Sequence, residues 1–98
     1  MNKWHNQQTD ALCDALLCLK TREECYAFLE DICTVREFLD ISQRLTVADM
    51  LSRGLPYTAI REATGASTTT ISRVSKCCDC GKGGYELVLS RREECGHA

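Results

Sequence analysis

Apolar residues recur at helical spacing along most of this chain. Leu12, Ala15, Leu16 and Leu19, with Cys13 beside them, predict a first helix over residues 10–20. Thr21-Arg22-Glu23-Glu24 has the hydroxyl-to-carboxylate spacing of a capping box, so a second helix starts at Thr21. Cys25, Phe28, Leu29 and Ile32 form its apolar stripe. Thr34-Val35-Arg36-Glu37 repeats the box and opens a third helix, which runs to about residue 53 and is ended by Gly54. Phe38, Leu39, Ile41, Leu45, Val47, Ala48, Met50 and Leu51 cover more than one face of it. A helix apolar on several sides is buried between neighbours or against a partner chain.

The next stretch, YTAIREATGASTTTISRVSK at residues 57–76, holds the most specific local signals. Pro56 suits a first helical position, where its missing N–H costs nothing. Residues 57–64 make about two turns, with Ile60 and Ala63 three apart on one face. Gly65 suits the left-handed conformation that stops a helix and turns the chain. Ala66 is small enough for two helices to pass closely, and Ser67 is a good N-cap for a second helix. Ile71 and Val74 form the inner face of that helix. The three threonines 68–70 are poor helix formers but present hydroxyls and methyls suited to base edges and phosphates. An ordinary helical hairpin shares some of these features. Helix, glycine turn, serine cap and polar outer face together favour a DNA-binding helix-turn-helix over residues 56–77.

Beyond Lys76, CCDCGKGG reads as a flexible break. Tyr85, Leu87, Val88 and Leu89 then start a last helix or a brief strand; helical continuation through Arg92 and Glu93 favours a helix over residues 84–94. Residues 1–9 and 96–98 are expected to be loose.

Charge changes the picture for the motif. The net charge of −2 argues at first against DNA. Residues 1–42 hold four Lys/Arg against eight Asp/Glu, residues 43–76 five against two, and residues 77–98 three against four. The basic share therefore lies on the motif. The acidic group Glu30, Asp31, Glu37 and Asp40 reads as a solvated helix face. Ninety-eight residues suit one domain with a modest core. No apolar run is long enough to span a membrane, and MNKWHNQQTD lacks the apolar region of a secretory signal, so a cytoplasmic protein is expected. His5 and His97 lie near the ends, no nucleophile–base arrangement is recognisable, and GKGG lacks the rest of a phosphate loop, so no enzyme is expected.

Eight cysteines are many for this length: Cys13, Cys18, Cys25, Cys33, Cys77, Cys78, Cys80 and Cys95. Four lie in helical patterns, where cysteine acts as a small hydrophobe. Cys77 and Cys80 form a CxxC spacing, a weak metal or redox signal. Cys95 and His97 could complete a zinc site but lack knuckle spacing, so bland thiols are favoured and no metal ligand is assigned.

RLTVADMLSRG followed by ATGASTTTISRV, within residues 42–76, resembles the Trp repressor family. The tail GGYELVLSRR and the front half are most similar to its YerC/YecD branch. The resemblance spans about residues 5–93. It implies an all-α fold of six helices and a homodimer in which the first three helices and the last interlace with those of the partner. It also implies two recognition helices about one DNA turn apart on double-stranded DNA. By matching position, Arg44 and Arg73 correspond to the arginines that sandwich tryptophan, and Thr70 to a threonine near that ligand. The position after the second arginine, glycine in tryptophan-sensing members, is Val74, whose branched side chain fills or narrows the pocket. The loop at Leu55-Pro56 is one residue shorter, and Thr58 stands where the family has a base-reading arginine. The ligand-pocket set Arg44, Thr70, Arg73 and Val74 therefore predicts no tryptophan switch, and no cofactor is assigned. The resulting expectation is a dimeric DNA-binding transcriptional regulator, most simply a repressor. Ser67, Thr68, Thr69 and Thr70 would lie near bases, and Arg61, Ser72, Arg73 and Lys76 would meet phosphates. The alternatives are a cysteine-based metal or redox sensor using Cys77, Cys80 and Cys95, and a helical protein-interaction module without DNA binding.

Overall fold

The computed structural model describes residues 3–96, so His97 and its suggested ligand role fall outside the described residues. Six helices follow one another: α1 (Gln7–Leu17), α2 (Arg22–Ile32), α3 (Val35–Ser52), α4 (Tyr57–Thr64), α5 (Thr68–Cys80) and α6 (Gly84–Glu94). Among the described residues there is no strand, and no helix is long and apolar enough to cross a membrane. The fold is all-α, and the chain packs as two compact units, one ending at Phe38 and one starting at Leu39.

In the first unit, caps set the boundaries. α1 starts at Gln7, three residues before the predicted start, because Asn6 and Thr9 form a capping box. The Asn6 side chain accepts from the Thr9 N–H at 2.9 Å, and Thr9 Oγ1 accepts from the Asn6 N–H at 2.9 Å. Residues 6–9 are thus ordered by a cap rather than loose. α1 also ends early, at Leu17. The Cys18 and Leu19 N–H groups fold back onto the Ala15 and Leu16 carbonyls in tightened turns, and the Lys20 N–H donates to Glu24 Oε1 at 2.8 Å. Glu24 therefore draws the chain out of α1 and into α2, whose cap is Thr21 Oγ1 accepting from the Glu24 N–H at 3.1 Å. The predicted box at α2 is shifted by one residue on its carboxylate side. The box at α3 is fully reciprocal: Thr34 N–H to Glu37 Oε1 at 2.8 Å, and Glu37 N–H to Thr34 Oγ1 at 3.1 Å. Tyr26 meets Phe38 edge to face, with centroids 5.9 Å apart and planes at 78°, a geometry worth about 0.5–1.5 kcal/mol beyond area burial.

The second unit holds the buried core: Val47 and Ala48 of α3, Ile60 of α4, Ala66 of the turn, and Ile71 and Val74 of α5. Met50, Leu51, Tyr85 and Leu89 pack against it, so α6 contributes two residues one turn apart. The broad apolar surface of α3 is only partly covered within the chain. Val47 and Ala48 are buried, whereas Val35, Leu39 and Ile41 are exposed. α3 ends in a Schellman motif: Gly54, at φ 78°, donates to the Leu51 carbonyl at 3.0 Å, and Leu55 donates to that of Met50 at 3.2 Å.

Two readings of the sequence change in this unit. Ala63 is exposed, and the inner side of α4 is formed by Ile60 with the half-buried Ala59 and Thr64. Pro56 is the N-cap, at ψ 157°, rather than the first helical residue. We expect Ile60→Ala to destabilise the fold by about 2–5 kcal/mol in urea denaturation, and Ala63→Ser, on the exposed side of the same helix, to change it by about 0.5 kcal/mol or less.

Candidate nucleic-acid interface

α4 and α5 are joined by Gly65, Ala66 and Ser67, and the geometry of that joint follows from its residue types. Gly65 adopts φ 74° and its N–H closes α4 onto the Arg61 carbonyl at 2.8 Å. A Cβ at this φ is disfavoured by its own backbone. Thr64 Oγ1 donates to the Ile60 carbonyl at 2.7 Å and accepts from the Ala66 N–H at 3.1 Å. The Thr64 carbonyl, left over at the helix end, accepts from Gln43 Nε2 of α3 at 3.1 Å. The turn is thereby tied to α3 as well as packed on it. Ser67 caps α5, its Oγ accepting from the Thr70 N–H at 3.1 Å.

The phase of α5 sorts the candidate residues. Ile71 and Val74 point into the core. Thr68, Thr69, Ser72, Arg73 and Lys76 are exposed. Ser72, Arg73 and Lys76 lie three, four and seven residues after Thr69, so the four share one side of the helix. Thr70 differs from its two neighbours: it is half-buried, and its Oγ1 accepts from the Ser67 hydroxyl at 3.1 Å. Ser67 and Thr70 thus spend their hydroxyls on the cap. Arg61 and Ser67 are brought together with Thr58 at an open depression of about 600 Å³ over the turn.

The four residues of the suggested ligand pocket differ in exposure. Val74 is 1% exposed and sits among Val47, Ile60 and Ile71. Arg73 lies on the outer side. The Tyr85 hydroxyl of α6 lies near enough to the Arg44 guanidinium to feel its charge. Burial pushes that hydroxyl above its usual pKa, while the charge of Arg44 opposes the rise. A separate groove of about 550 Å³ opens between α3, α5 and α6, floored by Ala48, Leu51 and Leu89 and rimmed by acidic side chains; none of the four lines it.

One boundary near the site was misread. α5 continues past Lys76 to Cys80 and is closed by Gly81, whose N–H bonds to the Cys77 carbonyl at 2.9 Å. CCDC is therefore the last turn of the helix and not a flexible break, because Cys and Asp tolerate helical backbone and the first true breaker is Gly81. The tie Gln43–Thr64 has no local pattern to announce it, since it joins positions 21 residues apart.

Comparison with known proteins agrees with this architecture. The sequence profile of the family described as Trp repressor protein matches residues 7–93. A Bacillus subtilis (strain 168) relative, the uncharacterized protein YerC, is 45% identical over 94 residues, which span 96% of this chain and 90% of that protein. The crystal structure of a TrpR-like protein from Eubacterium eligens superposes with a TM-score of 0.89 at 46% identity, covering 93% of this chain and 94% of that one. A solved structure from Staphylococcus aureus does so equally, with a TM-score of 0.89 at 45% identity, covering 93% of this chain and 91% of that one. With its six helices and a profile match over nearly its whole length, the chain belongs to the Trp repressor family, on its YerC-like branch.

Proposed function

We propose that the chain is a sequence-specific DNA-binding transcriptional regulator that acts in the cytoplasm as a homodimer, with α4, the turn and α5 serving as a helix-turn-helix. The observation that carries this reading is the division of α5. Its inner side is held in the core by Ile71 and Val74, and its outer side presents Thr68, Thr69, Ser72, Arg73 and Lys76 to solvent. Such a helix can enter the major groove without disturbing the packing that holds it. Thr68 and Thr69 would read base edges. Arg61, Ser72, Arg73 and Lys76 would meet phosphates and fix the register. Ser67 and Thr70 would act mainly by shaping the start of the helix. Repression is the simplest mode for such a reader, by occupying a promoter.

A second copy is the natural cover for the apolar residues that the single chain leaves in water. Leu17 is 83% and Val35 77% exposed, and Leu12, Leu16, Leu39, Ile41, Leu87 and Val88 are also exposed. Fully burying side chains of this kind stabilises by about 1.5–3 kcal/mol each. A two-fold dimer would set two copies of α5 against half-sites about 34–36 Å apart.

Tryptophan is not the switch in this reading. Val74 occupies core space where tryptophan-sensing relatives have glycine. Calorimetry should register no saturable heat from tryptophan up to about 1 mM with the parent chain. Val74→Gly should reopen the space, lose about 2–4 kcal/mol of stability through the cavity and the helical glycine, and be the only form that takes up the ligand. Micromolar binding by the parent would sink the pocket argument.

DNA recognition is tested by selecting fragments from a genomic pool and measuring affinity against salt. Thr69→Ala should weaken the selected site by about 1 kcal/mol and relax its specificity. Arg73→Ala should weaken all sequences alike and lower the salt slope by about 1. If both variants bind the selected fragment as tightly as the parent, α5 is not the reading helix.

A further inference from the structure

The last turn of α5 carries three cysteines, and nothing in the packing of the fold calls for them. Cys77, Cys78 and Cys80 are all exposed free thiols. They directly follow Lys76, the last cation on the outer side of the same helix. Helix geometry decides which of them can pair. Consecutive Cα atoms lie about 3.8 Å apart, short of the range of about 4.4–6.8 Å that a disulfide spans, which disfavours Cys77 with Cys78. Residues two apart, such as Cys78 and Cys80, do not face each other on a helix. Cys77 and Cys80 are three apart and share a face, with Cβ atoms about 5–6 Å apart in regular helix.

That separation is larger than the Cβ distance of about 3.5–4.5 Å in a disulfide. The bond therefore forms only if the turn deforms. The element that must yield is the one closed by the Gly81 N–H on the Cys77 carbonyl at 2.9 Å. That closure is one only glycine fits, because a Cβ at position 81 would overlap the same carbonyl. From these observations we infer that Cys77 and Cys80 form a reversible redox modification site, and that their disulfide remodels the end of α5 and weakens the DNA contact made by its outer side. This regulation rests on the DNA-binding reading of α5.

The chemistry balances with a hydroperoxide as oxidant. The thiolate of one cysteine attacks the peroxide oxygen, giving a sulfenic acid and, from hydrogen peroxide, water. The thiol of the other attacks the sulfenic sulfur, the S–S bond forms and a second water leaves. Two thiols are oxidised and one peroxide is reduced, and thiol–disulfide exchange with an added dithiol restores the starting state. Cys78 is the poorer participant. Burial, then the charges of Asp79 and Cys77, push its thiol above the usual pKa, which disfavours its thiolate. A metal clamp is the less suitable use of the same pair, since among the described residues no group of three or more His, Cys, Asp or Glu is placed to hold an ion. Transient disulfides of this kind are the form that redox sensing takes in a reducing compartment.

The test uses the full-length protein, reduced or treated with hydrogen peroxide. Peptide mapping without reductant should find the Cys77–Cys80 disulfide, and hydrogen exchange should quicken at the amides of residues 77–81. Affinity for the DNA fragment selected under reducing conditions should fall by about fivefold or more and return with dithiothreitol. The double variant Cys77→Ser with Cys80→Ser should bind like the reduced parent with or without peroxide. Absence of that disulfide from the map, unchanged exchange when it is present, or equal loss of affinity in the double variant overturns the proposal. If no fragment binds even under reducing conditions, the regulator reading fails and with it the proposed effect on DNA. The map and the exchange rates still judge the thiol pair itself.

Discussion

The packing of Ile60, Ile71 and Val74 against Val47 and Ala48 is the constraint on which the rest of the site depends. It fixes the phase of α5, and that phase decides which side chains face water. Rotating the helix by one residue, about 100°, would exchange Val74 for Arg73 and bury an unpaired guanidinium, which costs several kcal/mol. The turn is fixed just as firmly, by the left-handed Gly65, the nearly buried Ala66 and the bond from Gln43 to the Thr64 carbonyl. A rigid scaffold thus holds a polar helix face in a defined direction, as a groove-reading element requires.

The same core is small for the chain it serves. Among the described residues all six buried side chains lie in the second unit, and α1, α2 and α6 contain no buried residue. Backbone ordering costs about 1–2 kcal/mol per residue, and six buried side chains offset only a small part of that. Large apolar side chains are left exposed on α1, α2, α3 and α6. In the proposed dimer a second copy would cover them and give the two-fold symmetry that paired DNA half-sites ask for.

Much of this was legible in the sequence because caps and breakers act locally. Thr21, Thr34, Ser67, Gly54 and Gly65 each do what their residue type predicts. Asn6–Thr9 escaped notice because threonine, not glutamate, closes that box. α5 runs on through the cysteines because they tolerate helical backbone, and Gly81 is its first breaker. Periodicity alone put Ala63 inside; with only two turns in α4, a shift of one residue was enough to expose it. The sequence also treated the three threonines alike. Only the hydroxyl bond between Ser67 and Thr70 separates Thr70 from its neighbours. The nearness of the Arg44 charge to Tyr85 depends on tertiary placement and has no local signature.

In the proposed reading Val74, which fills the core, takes the space a tryptophan switch would need. Regulation would then act elsewhere, and the cysteine turn adjoins the outer side of α5. All of this presumes that the exposed apolar helices are covered by a second copy. Sedimentation equilibrium of the full chain in reducing buffer tests that most directly. The account predicts a single species with the mass of two 11.0 kDa chains at micromolar concentration, dissociating only as the fold unfolds. A folded, cooperative species with the mass of one chain at the same concentration would contradict it.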